Sequence, residues 1–185
     1  MKEKLKFKPY VICIVGESGS GKTTLSRIFD ELGVKAICSY TTRRMRDGEA
    51  NNVDHIFVSQ DEFNELKLNY EDPMVAYTNY GGFEYCTTLS QFEAHDGCCY
   101  VVDEPGVNYM HKHFSDVLNI VPVYVFAGDK VLERGVTEER IARDRTRNKS
   151  LDIGIKYTIG NFGSIEDLKN NAKIVLELIN TSMFA

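Results

Sequence analysis

Short apolar runs separated by glycine, serine and charged positions set the pattern of this chain. Tyr10 to Val15 is a continuous apolar, β-branched run, as expected of a strand buried on both faces. Glycines and serines follow, and Thr23 to Leu32 then reads as a helix that Gly33 stops. Val34 to Tyr40 reads as a second strand, and residues 41–54 are polar and rich in turn formers. His55 to Val58 predicts a further strand, and Ser59 with Glu62 has the spacing of a capping box opening a helix. Tyr77 to Thr88, rich in Tyr, Gly and Thr, predicts small antiparallel strands. Cys98 to Val102 predicts a core strand ending at Asp103, and Pro122 to Phe126 another. Leu132 to Asn148 is a highly charged helical stretch. Ile165 to Thr181 reads as an amphipathic helix with Ile165, Leu168, Ala172, Val175, Leu176 and Ile179 on one side. Alternating buried strands and helices predict an α/β fold with a mainly parallel sheet flanked by helices. The 41–90 stretch breaks that alternation and reads as an insertion.

Composition narrows the class. The 185 residues suit one domain, and 43% hydrophobic with 26% charged residues excludes a disordered or collagen-like chain. No apolar run exceeds six residues, against the roughly 20 needed to span a bilayer. The basic start, Met1 to Lys8, has no long apolar segment or small-residue cleavage site, so secretion is not expected. A net charge of −5 is opposite in sign to that of a dedicated duplex-DNA binder. Neither a nucleic acid nor a membrane is expected as a partner, and any phosphate must be met by local positive charge. The five cysteines are odd in number, two are adjacent, and none form C-x-x-C. That argues against a disulfide framework and a zinc site and for a reducing, cytoplasmic setting. Cys98 and Cys99 read as strand residues, one to each face, and His111 with His113 as a surface pair.

Gly16-Glu-Ser-Gly-Ser-Gly21-Lys22-Thr23 matches G-x-x-x-x-G-K-[ST] without a gap, between an apolar strand and a helix. Glycines let backbone N–H groups turn inward around a phosphate, and the following helix points its positive end at the anion. Lys22 would reach the β/γ-oxygens, and the Thr23 hydroxyl suits Mg²⁺. The candidate ATP-binding set is Gly16, Ser18, Gly19, Ser20, Gly21, Lys22, Thr23 and Thr24, with Thr23 the metal candidate. No guanine-reading N-K-x-D string follows, which argues against a Ras-type GTPase. Ser39-Tyr-Thr-Thr-Arg43-Arg44-Met-Arg46-Asp-Gly-Glu49 then places three arginines in four positions beside hydroxyls. Guanidinium forks pair bidentately with phosphate oxygens, so the segment suits a second phosphate.

Together these strings resemble the guanylate kinase family. The loop through Thr24-Leu25 is similar to that family's. So is Ser39-x-Thr-Thr-Arg43-x-x-Arg46-x-Gly48-Glu49, followed by Asn51, Asp54, Phe57-Val58-Ser59 and Glu62-Phe63. The similarity continues through Tyr85, Val102-Asp103 with Gly106-Val107, and Arg134-Gly135, covering most of residues 9 to about 147. The resemblance implies a P-loop nucleoside monophosphate kinase fold. Its core would be 9–38, 92–130 and 150–185, its monophosphate-binding region 39–91 and its lid about 131–149. It implies transfer of the γ-phosphoryl of ATP, with Mg²⁺, to a monophosphate, GMP or dGMP first. Ser39, Arg43, Arg46 and Tyr85 would hold the acceptor phosphate, with Glu49 orienting the arginines. Thr87 would read the base, and Asp103 would read guanine or lie near the metal. Lys22, Arg43, Arg134 and Arg145 would be catalytic, with Arg143 the alternative to Arg145 in the lid.

The chain also departs from the family pattern. His55 stands where the family has a second phosphate-contacting tyrosine, and imidazole can still donate a hydrogen bond there. Met74, Val75 and Ala76 occupy the stretch where a guanine-reading glutamate is expected, and Glu71 or Glu84 would replace it only with a shift. Pro105 stands in place of a usual glutamine. Two other readings therefore remain. The acceptor is another deoxynucleotide or a ribose bisphosphate, or the chain is a non-catalytic protein-binding module. Such modules have a degraded phosphate loop, whereas Lys22 and Thr23 are intact here.

Overall fold

The computed structural model describes residues 8–138 and 153–184. Its larger sheet has five parallel strands in the order β2-β7-β1-β8-β9. They are β1 (Tyr10–Gly16), β2 (Lys35–Ile37), β7 (Gly97–Val101), β8 (Asn119–Phe126) and β9 (Tyr157–Gly160). The strand at the centre, β1, is the most continuously apolar stretch, and its residues 11–15 are fully buried. Side chains alternate across a strand, so β1 feeds two cores at once. Val11, Cys13 and Val15 pack with Val107, Met110 and Phe114 of α4 (Glu104–Phe114). Ile12 and Ile14 pack with Leu25, Ile28 and Phe29 of α1 (Lys22–Glu31). The same core takes Leu168, Ala172, Val175 and Ile179 from α6 (Ile165–Phe184). Each buried Val, Leu, Ile, Phe or Met side chain among these contributes about 1.5–3 kcal/mol.

Cys98 enters the first core and Cys99 the second, one to each face of β7. Cys13, Cys86, Cys98 and Cys99 are buried, Cys38 is half-buried, and all five are free thiols. In α6 the buried stripe begins at Leu168, whereas Ile165, expected on that stripe, is 67% exposed at the helix start.

A second sheet of four strands has the order β4-β3-β6-β5. It comprises β3 (Tyr40–Thr41), β4 (Ile56–Phe57), β5 (Met74–Tyr80) and β6 (Phe83–Thr88). β5 and β6 are antiparallel, as the Tyr/Gly/Thr-rich stretch predicts, and β6 also pairs antiparallel with β3. Between β4 and β5 lies α2 (Gln60–Leu68), opened by the expected Ser59/Glu62 capping box. Two short helices, α3 (Leu89–Glu93) and α5 (Lys130–Glu133), complete the described elements.

The stretch Val34 to Tyr40 is not one strand. Residues Lys35–Ile37 pair with β7 in the large sheet, and Tyr40–Thr41 pair with β6 in the small one. The chain changes sheets at Cys38 and Ser39. An apolar run carries no label for the sheet that it joins, so hydropathy alone reads one continuous strand. α4 lies against β5, and β5 shares one cavity wall with Gly16 at the end of β1 and Val101 at the end of β7. Open α/β sheets take their ligands at such strand ends.

Candidate active site

The loop after β1 leads directly into α1. Gly21 is the N-cap of that helix, with φ +102°, and a Cβ there would run into Asn161 Nδ2. Gly19, at φ +74°, leaves no room for a Cβ against Val136. The loop is tied down from outside as well. Asn161 Nδ2 donates to the Ser20 carbonyl at 2.8 Å. Arg134 bridges three carbonyls, donating from Nη1 to Gly19 at 3.0 Å and Ser20 at 3.4 Å, and from Nη2 to Asn161 at 3.1 Å. Lys22 folds over the loop and donates to the Gly16 and Glu17 carbonyls, both at 2.8 Å.

One cavity, of about 500 Å³, flanks the loop between Arg134, Asn161 and the start of α6. Ser18, Gly19, Gly21, Lys22, Thr23 and Thr24 line it, and so does the exposed Ile165. A second cavity, of about 420 Å³, opens on the other side of the loop. Gly16, Ser18, Lys22 and Thr23 line it from the loop, Ser39 from the change of sheets, and Arg43, Arg46, Glu49, His55 and Tyr85 from the 41–55 segment and the small sheet. Asp103 joins them from the end of the β7 strand. Ser20 lines neither cavity; it is buried and meets its neighbours through its carbonyl.

Arg43 is 7% exposed, and its guanidinium forms a two-pronged pair with Glu49, both contacts at 2.9 Å. Nη1 also donates to the Arg44 carbonyl, and the guanidinium carbon stands 5.4 Å from the centroid of the Phe57 ring. Glu49 further accepts the Arg46 backbone N–H at 2.8 Å. Arg43, and then that N–H, hold the Glu49 carboxyl down to about 2, and Glu49 in turn pushes Arg43 up. Glu49 thus aims Arg43 and pins the Arg46 backbone. His55 Nδ1 lies 2.8 Å from Ser39 Oγ. Burial, with the Arg43 charge second, moves its imidazole below the usual histidine range.

Asp103 both caps a helix and faces the cavity. Its Oδ1 accepts the Gly106 N–H at 3.0 Å at the start of α4, and its Oδ2 accepts the Thr78 hydroxyl at 3.2 Å. Thr78, Ala76 and Tyr80 of β5 line the same wall, with Tyr100, Val101 and Glu104. Ala76 has φ +55°, and the β5–β6 register shifts between Val75 and Thr78. The sequence singled out none of Thr78, Tyr100 and Glu104. Nothing in the sequence marks the register shift after Val75 beyond which Thr78 lines the cavity.

Thr87 does not come to the cavity. It is fully buried, and its hydroxyl donates to the Val75 carbonyl at 2.8 Å. It pairs with Val75, on the far side of the β5 irregularity from Thr78. Glu84 is also engaged elsewhere. Its carboxylate accepts from Lys67, from Gln60 at 2.6 Å and from Tyr77 at 2.7 Å. Lys67 first, then Gln60 and Tyr77, hold it down to about 2, and it braces α2 against β5 and lines neither cavity. Arg143 and Arg145, with residues 139–149 of the expected lid, lie outside the described residues.

No cluster of three or more His, Cys, Asp or Glu suited to a metal occurs among the described residues. No helix among them is long and apolar enough to cross a membrane.

A family model described as guanylate kinase matches residues 6–151. Among solved structures, the chain is similar to a guanylate kinase from Anaplasma phagocytophilum at 19% identity, with a TM-score of 0.67, over 96% of this chain and 89% of that one. It also matches TT1252 from Thermus thermophilus at 18% identity, with a TM-score of 0.49, over 92% of this chain and 97% of that one.

Proposed function

Because the chain belongs to the guanylate kinase family, we propose that it is an ATP-dependent nucleoside monophosphate kinase, converting GMP or dGMP to the diphosphate. One observation carries the reading. A phosphate loop bearing Lys22 and Thr23 and a clamp bearing Ser39, Arg43 and Arg46 face the same cavity of about 420 Å³. A triphosphate held by the loop and a monophosphate held by the clamp would meet end to end there.

The chemistry then needs positioning and positive charge. An oxygen of the acceptor phosphate attacks the γ-phosphorus in line. The new O–P bond forms as the bond to the β,γ-bridging oxygen breaks, and ADP leaves with that electron pair. No general base is needed, because the attacking oxygen is already anionic. Lys22 would exchange its loop carbonyls for the β/γ-oxygens, and Arg43 would fix and neutralise the acceptor. Arg134, which donates to the Gly19 and Ser20 carbonyls, would keep the loop rigid at the donor end, and the Ile165 side of the other cavity would take the donor base.

The donor set also suits Mg²⁺. Thr23 carries a hydroxyl and lines both cavities, and a hard cation that keeps waters and phosphate oxygens needs few protein ligands. When bound, that ion would offset charge on the β- and γ-oxygens. Thr23 would be its protein ligand.

A second acceptor is favoured by one feature: Met74, Val75 and Ala76 carry no carboxylate and Glu84 is engaged with Lys67. The acids on the cavity wall are Glu17, Glu49, Asp103 and Glu104. Guanine would be read by Asp103 or Glu104, or else the acceptor differs. Coupled ADP release from ATP–Mg²⁺ against GMP, dGMP, AMP, CMP, UMP, dTMP and ribose 1,5-bisphosphate decides this. Turnover with GMP or dGMP alone supports the first reading, preference for another member supports the second, and silence across the panel overturns both.

A further inference from the structure

We propose that His55 takes up a proton from solvent when an acceptor phosphate dianion binds, and holds that phosphate as an imidazolium. The inference rests on the acceptor reading above and adds a proton to it. The ring lines the cavity beside Arg43 and Arg46. It meets the rings of Phe57 and Tyr85 edge-on, with centroids 5.7 and 5.8 Å away, and Nδ1 lies 2.8 Å from Ser39 Oγ. These contacts fix the ring plane and engage one nitrogen. Nε2 would be the nitrogen offered to a ligand.

The groups that bear on the ring come from every side. Arg43 opposes its positive charge, while Glu49 and Asp54 favour it. Both acids already have guanidinium partners, Glu49 in Arg43 and Asp54 in Arg27 at 3.2 Å. Arg46 and the Tyr85 hydroxyl complete the surroundings on the cavity wall. Burial, and then Arg43 beside it, hold the ring below the usual histidine range, which favours its uncharged form while no anion is bound.

A phosphate monoester brings a charge of about −1.5 to −2 to this clamp. An opposite charge within hydrogen-bonding range raises a histidine by about 1–3 pH units. The ring then donates from both nitrogens, to Ser39 Oγ and to a phosphate oxygen. A permanent cation at this position would repel Arg43 whenever no anion was bound. Histidine supplies the third positive charge only with the ligand in place. The sign follows by linkage. The gain in affinity is complete below the midpoint of the free ring, and it is lost as pH rises through the higher midpoint of the complex.

The test is an NMR titration of the Cε1–H resonances of the four histidines, with and without saturating GMP and, separately, inorganic phosphate. His55 is assigned by its absence from His55→Gln and, should that variant fail to fold, by elimination using variants of His95, His111 and His113. The expected result is a rise of about one pH unit or more in the His55 midpoint, with the other three unmoved. The Kd ratio of His55→Gln to the parent chain should fall by up to about tenfold between pH 6 and 8 per unit of that rise. The ionisation of the ligand itself cancels in this ratio. Binding of either anion with an unmoved His55 midpoint overturns the proposal, and so does failure of both to bind. A shift with phosphate and no binding of GMP keeps the proton-coupled anion site and removes the guanine acceptor reading instead.

Discussion

Arg43 and Glu49 meet fork to fork, each guanidinium amino nitrogen 2.9 Å from a carboxylate oxygen. The pair orients an arginine that is 7% exposed yet lines the cavity. Arg43→Ala should lower acceptor kcat/KM by more than tenfold, a loss above about 1.4 kcal/mol, and leave the KM for ATP nearly unchanged. Initial rates with each substrate varied in turn test this, and an unchanged acceptor kcat/KM would remove Arg43 from the clamp.

Lys22 spans the loop through the Gly16 and Glu17 carbonyls. Lys22→Ala should reduce kcat more than tenfold, while the melting temperature moves by only a few degrees because no core contact is lost. Steady-state kinetics beside a thermal melt separates the two effects. Near-normal turnover would exclude Lys22 from the reaction.

Glu84 stands at the junction of α2, β5 and β6, where Lys67, Gln60 and Tyr77 converge on it. Its carboxyl is held down to about 2 in the folded chain. Its contribution to stability is therefore present above the ordinary carboxylate range and is lost as pH falls towards 2. Glu84→Gln should destabilise the fold by about 1–3 kcal/mol at pH 7. The difference from the parent should shrink in acid, and the preference among acceptors should not change. Urea unfolding at pH 7 and pH 3, with the acceptor panel, tests all three. A changed acceptor preference would make Glu84 a base reader after all.

Thr78→Val removes the hydroxyl that Asp103 Oδ2 accepts but keeps the Gly106 cap on Oδ1. Acceptor kcat/KM should fall about five- to tenfold, the scale of one charged hydrogen bond, with the KM for ATP unmoved. Thr78→Ser should restore most of it. Equal losses in both variants would assign Thr78 to packing.

The residues that were legible in the sequence are those whose chemistry is local. A five-residue buried run, six loop positions and a helix start define β1, the phosphate loop and α1 without reference to the rest of the chain. Arg43, Arg46 and Glu49 were legible for the same reason, since they lie within one turn-rich segment. What escaped depends on pairing. The change of sheet at Cys38 and Ser39 is invisible to hydropathy, because the segments on both sides are short and equally extended. Thr87 follows Tyr85 by two on β6, so simple alternation gives both the same face. The β5 irregularity between Val75 and Thr78 instead leaves Thr87 against Val75 and presents Thr78 to the cavity. The exposure of Ile165 likewise reflects where the helix begins relative to the sheet, which periodicity does not encode.

The burial of the thiols turns the chain into its own opening gauge. Burial pushes Cys86, Cys98 and Cys99 up to about 12 and Cys13 higher still, so all four are protonated and covered in the folded state. Cys38 is half-buried at the change of sheet. An alkylating reagent at neutral pH would therefore mark Cys38 first, and the remaining four would register only as the sheets come apart. Mass added per molecule over time would read the opening of the two cores without any introduced probe.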